Sequence, residues 1–559
     1  MPDFNLAQVH EAVECRVPDR PCIVFRDRSL SYRDVGDRTR RFANALRERG
    51  LGLRFERSEG LANHESGQDH LALYLHNGNE YLEAMLGAYK ARVAPFNVNY
   101  RYVASELVYL LRDSNARGVV FHSAFAPVLA AARDELPNLE VLFQVPDDSG
   151  NDLLAGAEWY EDVVDAASPE LDEQLRASWS PDDLYILYTG GTTGMPKGVL
   201  WRQADILVAA MGGRQLGSGD EWPSLEDLLD TAETGGARMM PAPPFMHGAA
   251  HWMAFTAFTG GNTVVLPDVV DRFDPRDVLH HIEHSGVNVL LVVGDAFARP
   301  LVEELERGSH NTSSLLALAS GGAALSAGVK QRLLAAVPTM LVLDGLGSSE
   351  TGAQAYQTSA AGQDASTGSF SPGPGMCVLS DDLTAVLGAG HDEVGWLGQA
   401  GRVPLGYLGD PDKTVRTFPE IDGVRYAVPG DRARLTADGL LELYGRDSVT
   451  INSGGEKIFA EEVEAAFAAH PAVFDVVVCG RPSERWGSEV VAIVRIAEGV
   501  EVTDDDLLAE AERHIARFKL PKAILRRDRI ERSPTGKADY RWARDQAQAQ
   551  TGDHTHSTG

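Results

Sequence analysis

The chain has 559 residues, too many for one hydrophobic core, so two or more domains are expected. Hydrophobic residues make up 44% and charged residues 24%, the balance of a soluble globular protein. With 81 acidic against 51 basic side chains the net charge is −30, a surface that repels nucleic acid and anionic lipid and argues against both as partners.

Cys15, Cys22, Cys377 and Cys479 are scattered without the close pairs of zinc or redox motifs, so a reducing compartment is expected. The start, Met1-Pro2-Asp3-Phe4-Asn5, carries acid early and lacks the basic-then-apolar order of a signal peptide. The longest apolar runs, such as Val287 to Val293, are strand length. A cytoplasmic protein with no integral membrane segment is the expectation.

In chain order, Tyr81 to Tyr89 reads as a helix and Arg117 to Phe121 as a strand, with a polar, turn-rich surface loop from Phe55 to Asp69 between the first residues and both. Leu184 to Tyr188 reads as a strand, followed by a glycine-rich turn and a helix through Ile206, Leu207 and Val208. Val287 to Val293, Leu315 to Ala319 and Met340 to Leu343 are apolar runs separated by helix-like stretches. Such alternation predicts an α/β fold whose sheet is covered on both faces. Near Arg446 the character changes. Helix-like Ala460 to Ala469, strand-like Phe474 to Cys479 and Glu489 to Ile496, and a helix from Asp504 to Phe518 make a compact α+β unit. The expected domains are 1–446 and 447–545, followed by a disordered polar tail, 546–559.

The strongest local signal is Tyr188-Thr189-Gly190-Gly191-Thr192-Thr193-Gly194-Met195-Pro196-Lys197-Gly198, set behind a buried strand. Its glycines let backbone N–H groups approach phosphate oxygens, its hydroxyls add donors, and Lys197 adds charge. It is not a Walker A loop, because Pro196 precedes the lysine and Gly198 follows it.

The loop resembles the signature of the adenylate-forming superfamily, which includes acyl-CoA synthetases, peptide-synthetase adenylation domains and firefly luciferase. Further segments resemble the other family motifs in the family's order. These are Pro244-Phe245-Met246-His247-Gly248, Ser320-Gly321-Gly322-Ala323-Ala324, and Asp344-Gly345-Leu346-Gly347-Ser348-Ser349-Glu350-Thr351-Gly352. Gly430-Asp431, Gly445-Arg446, Ser453-Gly454-Gly455-Glu456-Lys457-Ile458, Glu461-Glu462-Val463-Glu464 and Ser533-Pro534-Thr535-Gly536-Lys537 follow. The likeness spans nearly the whole chain. It implies a large N-terminal adenylate-forming domain of packed α/β subdomains and a small mobile α+β lid.

The resemblance also implies roles. Thr189 to Gly194 and Lys197 would hold the β- and γ-phosphates of ATP, with Thr192 also counted as catalytic. Gly322 and Ala323 would pack against adenine and the acyl chain, and the run Asp344, Gly345, Leu346, Gly347 and Ser348 would bind ATP and AMP. Ser349 would donate to the α-phosphate, and Glu350 would be catalytic and hold Mg²⁺, a hard cation suited to carboxylate oxygen. Asp431 would accept from the ribose hydroxyls, reinforced by Arg446. His247 would stand between nucleotide and acyl group, and Lys537 would bridge carboxylate and α-phosphate. Gly454 and Gly455 would line the coenzyme A tunnel, and Ser448 would stand at the hinge.

Three positions depart from the commonest family residues: Leu346 where an aromatic ring usually meets adenine, Pro429 before Gly430-Asp431, and Ser448 at the hinge. These departures, with Ile451-Asn452-Ser453-Gly454-Gly455-Glu456-Lys457 and Asp539-Tyr540-Arg541-Trp542, are similar to a subgroup of actinobacterial fatty-acid and sterol side-chain CoA ligases. The implied activity is ATP-dependent thioester formation between a hydrophobic carboxylic acid and coenzyme A. The alternatives are an acyl-AMP ligase serving a separate carrier protein, a non-catalytic nucleotide-binding homologue, and a luciferase-like monooxygenase. The oligomeric state, homo-oligomer included, is open.

Overall fold

The computed structural model describes residues 3–189, 195–308, 310–363, 366–453, 456–483, 486–532 and 537–549. Two large sheets carry the N-terminal part. In one, eight strands run in the order Gly406–Tyr407, Lys197–Arg202, Leu184–Thr189, Ala94–Asn97, His70–Tyr74, Ala116–His122, Val141–Val145 and Glu158–Trp159. Leu184–Thr189 joins the strands beyond it in parallel, whereas its pairing with Lys197–Arg202 is antiparallel. Buried apolar strands such as Leu71, Ala72 and Leu73 fit a sheet packed on both faces.

The second sheet has a parallel centre, Thr263–Val265, Arg238–Pro241, Val289–Val292, Ala317–Gly321 and Leu341–Ser348. It turns antiparallel at the hairpin between Leu341–Ser348 and Gly352–Ser359. The residues just beyond the parallel strands thus collect along one sheet edge, where ligand sites of such folds form.

The C-terminal unit has its own core. Val473–Ser483 pairs antiparallel with Gly487–Ile496, which pairs in parallel with Ala523–Arg526. Ile458, Val463, Phe467, Val477, Ile493, Leu507 and Ala543, all fully buried, fill it.

Three expectations need correction. The chain behind the glycine loop does not pass straight into a helix: Lys197–Arg202 returns as a second strand before Gln203–Ala210. Its buried Val199, Leu200 and Trp201 pack between Leu184–Thr189 and Gly406–Tyr407. The helix expected to reach Phe518 ends at Ala511, after which Arg513, His514 and Arg517 are exposed and offer no apolar stripe. The helix Tyr540–Ala549 runs past Asp545 into the segment read as a disordered tail, because Ala543 and Ala547 bury against the C-terminal sheet. Among the described residues, no helix is long and apolar enough to cross a membrane.

Candidate active site

Thr189 and Lys197 face each other across the two-stranded pairing that carries the glycine loop. Gly190, Gly191, Thr192, Thr193 and Gly194 lie outside the described residues, as do Gly454 and Gly455. The strand end beneath the loop is fixed by Asn97. Its amide donates to Tyr188 O at 2.9 Å and to Met246 O at 2.7 Å, and its Oδ1 accepts from Tyr188 N at 2.8 Å. One buried side chain therefore ties the end of the strand Leu184–Thr189 to the segment that carries His247.

Lys197 is ion-paired with Asp410, the N-cap of the helix Pro411–Thr417. The lysine's hydrogen bond holds the Asp410 carboxyl below the usual range. On that helix Lys413 lies 4.2 Å over the Tyr407 ring. Burial lowers its pKa, and the charges of Glu350, Lys197, Asp410 and Arg446 all reach it. Lys413 thus adds a second cation beside Lys197.

Glu350 sits in the tight turn between Leu341–Ser348 and Gly352–Ser359. Tyr407 Oη donates to its Oε1 at 2.8 Å, and Trp201 Nε1 donates to Ser349 O at 2.9 Å. Ser348 N and Oγ both meet Thr351 Oγ1 at 3.0 Å. A Cβ on Gly347 would stand 2.2 Å from Gly352 O, so the turn closes only around glycine.

Gly321 opposes Gly345 across neighbouring strands. A Cβ on Gly345 would come no nearer than 3.4 Å to any group, and one on Gly322 no nearer than 4.0 Å. These glycines therefore leave a bare backbone ledge against which a flat ring can lie. Leu346 packs beside the core of Ala355 and Phe370, and Ala323 beside that of Leu325 and Val329. The buried carboxylate of Asp344, on the same strand, pairs with Lys330 Nζ at 2.8 Å.

Asp431 and Arg446 are opposite partners on the antiparallel strands Asp431–Leu435 and Leu441–Arg446, 3.3 Å apart. Ser448 lies exposed in the single turn Asp447–Val449 that leads onward to the C-terminal unit. From that unit Lys537 enters the same cleft. It keeps solvent access while protein surrounds it on most sides, and the enclosure lowers its pKa. Arg446 acts in the same direction, and Glu350 and Asp431 oppose both.

His247 is the N-cap residue of the helix Gly248–Thr259. Its Nε2 is hidden from solvent and has no hydrogen-bond partner among the described residues. Burial first, then the charge of Lys537, pushes its pKa down to about 3, so the ring is neutral near pH 7. Lys537, Glu350, Asp431, Arg446 and His247 thus influence one another electrostatically across two separately cored units.

The sequence pattern of the AMP-binding enzyme family matches residues 10–397, and that of the AMP-binding enzyme C-terminal domain matches 462–537. The chain belongs to the AMP-binding enzyme family. Over 545 residues it is 56% identical to the medium-chain acyl-CoA ligase Mig of Mycobacterium avium, covering 97% of this chain and 98% of that one. Over 575 residues it is 38% identical to a 3-oxocholest-4-en-26-oate–CoA ligase of Rhodococcus rhodochrous, covering 100% and 98%. Its fold is similar to that of ATP-bound MatB from Rhodopseudomonas palustris, with TM-score 0.78 and 22% identity over 97% of this chain and 99% of that one.

Asn97, Tyr407, Asp410, Lys413 and Trp201 escaped the sequence reading. Gly406-Tyr407-Leu408-Gly409-Asp410-Pro411 held a usable signal: Asp before Pro is a helix-start pattern, and it follows an aromatic residue. Asn97 and Trp201 carry no local signal, since their partners are distant in sequence.

Proposed function

We propose that the protein is an AMP-forming acid–thiol ligase that activates a medium-chain or longer hydrophobic carboxylic acid and transfers it to coenzyme A. The carrying observation is Lys537, which reaches from the C-terminal unit into the cleft of Glu350, Asp431 and Arg446. Likeness to a chain named as a medium-chain acyl-CoA ligase supports the substrate class. A cytoplasmic location fits the reading.

In the first step a carboxylate oxygen attacks the α-phosphorus of ATP, the acyl-adenylate forms, and pyrophosphate leaves. Anion meets polyanion, so converging cations lower the barrier. Lys537 would contact the incoming carboxylate and the α-phosphate. Lys197 and Lys413 would steady the departing phosphates, assisted by Thr189 and the loop Gly190 to Gly194, in which Thr192 would also be catalytic. Asp431 would accept from the ribose hydroxyls, held in place by Arg446. Adenine would lie on the ledge of Gly321, Gly322 and Gly345, beside Ala323 and Leu346, and Ser349 would donate to the α-phosphate. Neutral His247 would pack between nucleotide and acyl group without adding charge.

The carboxylate of Glu350, oriented by Tyr407, fits a hard divalent cation such as Mg²⁺. When bound, that ion would neutralise phosphate charge. In the second step the thiolate of coenzyme A attacks the acyl carbonyl and AMP leaves. A turn of the lid about Ser448 would withdraw Lys537 and bring Gly454 and Gly455 to the thiol's path, with the domain boundary at 446/447.

The test is incubation with ATP, Mg²⁺, coenzyme A and acids from acetate through long-chain fatty acids to sterol side-chain acids, read by mass spectrometry. An acyl-CoA product from medium-chain acids is expected. Acyl-AMP and pyrophosphate without thioester would favour a carrier-protein ligase instead.

A further inference from the structure

The strand Thr263–Val265 leads into a loop that carries Asp268, and the helix Pro275–Ser285 follows it. Asp277 and His281 are four residues apart on that helix and so share one of its faces. The ligand atoms of Asp268, Asp277 and His281 all lie within 4.8 Å of one another. His281 Nε2 is 3.3 Å from Asp268 Oδ1 and 3.6 Å from Asp277 Oδ1.

Neither approach has hydrogen-bond geometry, and Nε2 has no hydrogen-bond partner among the described residues although the residue is only 5% exposed. A buried ring nitrogen aimed between two carboxylates is expensive to leave unsatisfied. The spacing instead suits ligation. Two ligands each about 2.0 Å from a tetrahedral zinc ion stand roughly 3.3 Å apart.

The surrounding contacts leave the correct atoms available. Nδ1 of His281 lies 3.3 Å from Ser285 Oγ, and in the tautomer that donates there the Nε2 lone pair faces the carboxylates. Asp277 Oδ2 accepts from Val269 N at 2.9 Å, which fixes the carboxylate and turns Oδ1 inward. The donor set, one imidazole and two carboxylates, suits a borderline transition-metal ion better than Ca²⁺, which needs six or more oxygens.

We propose that Asp268, Asp277 and His281 form a divalent transition-metal site of the zinc class, which clips the loop after Val265 to the following helix. None of its residues belongs to the nucleotide cleft, and the site does not depend on the proposed reaction.

The test uses the full-length protein stripped with a chelator and titrated with Zn²⁺ in a calorimeter without ATP. About one equivalent is expected to bind. Asp268→Asn and His281→Gln should each weaken it at least about tenfold, a ligand loss being no milder than loss of an outer-shell partner. His284→Ala, on the same helix but outside the cluster, should leave it unchanged. Asp268 has a side chain 45% exposed, so its variant carries the test should His281→Gln fail to fold. Absence of stoichiometric binding, or binding of equal strength in the Asp268 variant, overturns the proposal. In the latter case other groups, such as His554 and His556, hold the ion.

Discussion

The backbone amide of Arg446 donates to Glu461 Oε1 at 3.2 Å, joining the cleft of Glu350, Asp431 and Arg446 to the first turn of the helix Ala460–Ala468 in the C-terminal unit. The other oxygen, Oε2, is buried with no hydrogen-bond partner among the described residues. A Cβ on Gly445, at φ +108°, would stand 2.2 Å from it, so only glycine admits the carboxyl. Burial is the main cause that pushes the Glu461 pKa up to about 7, and Asp431 adds to it. One turn further along, burial and Glu461 push Glu464 up to about 8.

Both carboxyls therefore bind protons more tightly in the folded protein than in the unfolded chain, and only Glu461, through Arg446, is placed to sense docking. Their contribution is fully present below the ordinary carboxyl range. It is lost as pH rises towards about 7 for Glu461 and about 8 for Glu464. Glu461→Gln imitates the protonated form. The expected outcome is a rate of acid-dependent pyrophosphate release that declines less between pH 6 and pH 8, as order-of-magnitude bounds for this titration, than in the unaltered protein. Parallel profiles would show that the carboxyl does not tune docking.

Tyr407 orients Glu350 without taking part in bond making, through the 2.8 Å bond to Oε1. Tyr407→Phe removes that bond and keeps the ring beneath Lys413. The variant should need roughly tenfold more Mg²⁺ for half-maximal adenylation, the usual cost of losing an outer-shell contact, with a smaller change in KM for the acid. An unchanged Mg²⁺ requirement would separate Tyr407 from the metal-holding role assigned to Glu350.

The charged and glycine-rich parts of this site were legible in sequence because local chemistry needs them locally. Gly347 closes a turn, and Asp431 and Arg446 flank one hairpin. What holds these parts in place was not legible. Asn97 reaches Met246 across 149 positions, and Trp201 reaches Ser349 across 148. The same distinction explains the fold. Periodicity revealed the helix Asn79–Lys90 and the strand Ala116–His122. The strand Lys197–Arg202 was missed, because its six residues gain strand character from neighbours on both sides. The partner of Asp344 was equally illegible: its carboxylate pairs with buried Lys330 of the preceding helix Ala327–Ala336.

His247 has its pKa pushed down to about 3, so it stays neutral through the working range of most enzymes. The pH profile of adenylation should then show no inflection near the ordinary histidine value of about 6.5 attributable to this ring. His247→Phe, which keeps an uncharged ring, should preserve more activity than His247→Ala. An inflection near that value, abolished by His247→Phe, would contradict the neutral-ring reading.

Lys537 offers the most decisive separation of the two half-reactions. Its ammonium is the charge that the C-terminal unit brings to Glu350, Asp431 and Arg446, and it would serve adenylation alone. Lys537→Ala should cut acyl-AMP formation by orders of magnitude, since one preorganised cation at a reacting phosphate contributes about that much. Thioester formation from supplied acyl-AMP should change far less. Its pKa is lowered, so the rate of adenylation in the unaltered protein should fall on the alkaline side earlier than an ordinary lysine would dictate. Lys537→Arg, which stays protonated, should move that alkaline fall to higher pH even where its longer head slows the step. Equal loss of both half-reactions in the alanine variant would assign Lys537 to holding the lid in place, leaving the charge at the phosphate to Lys197 and Lys413.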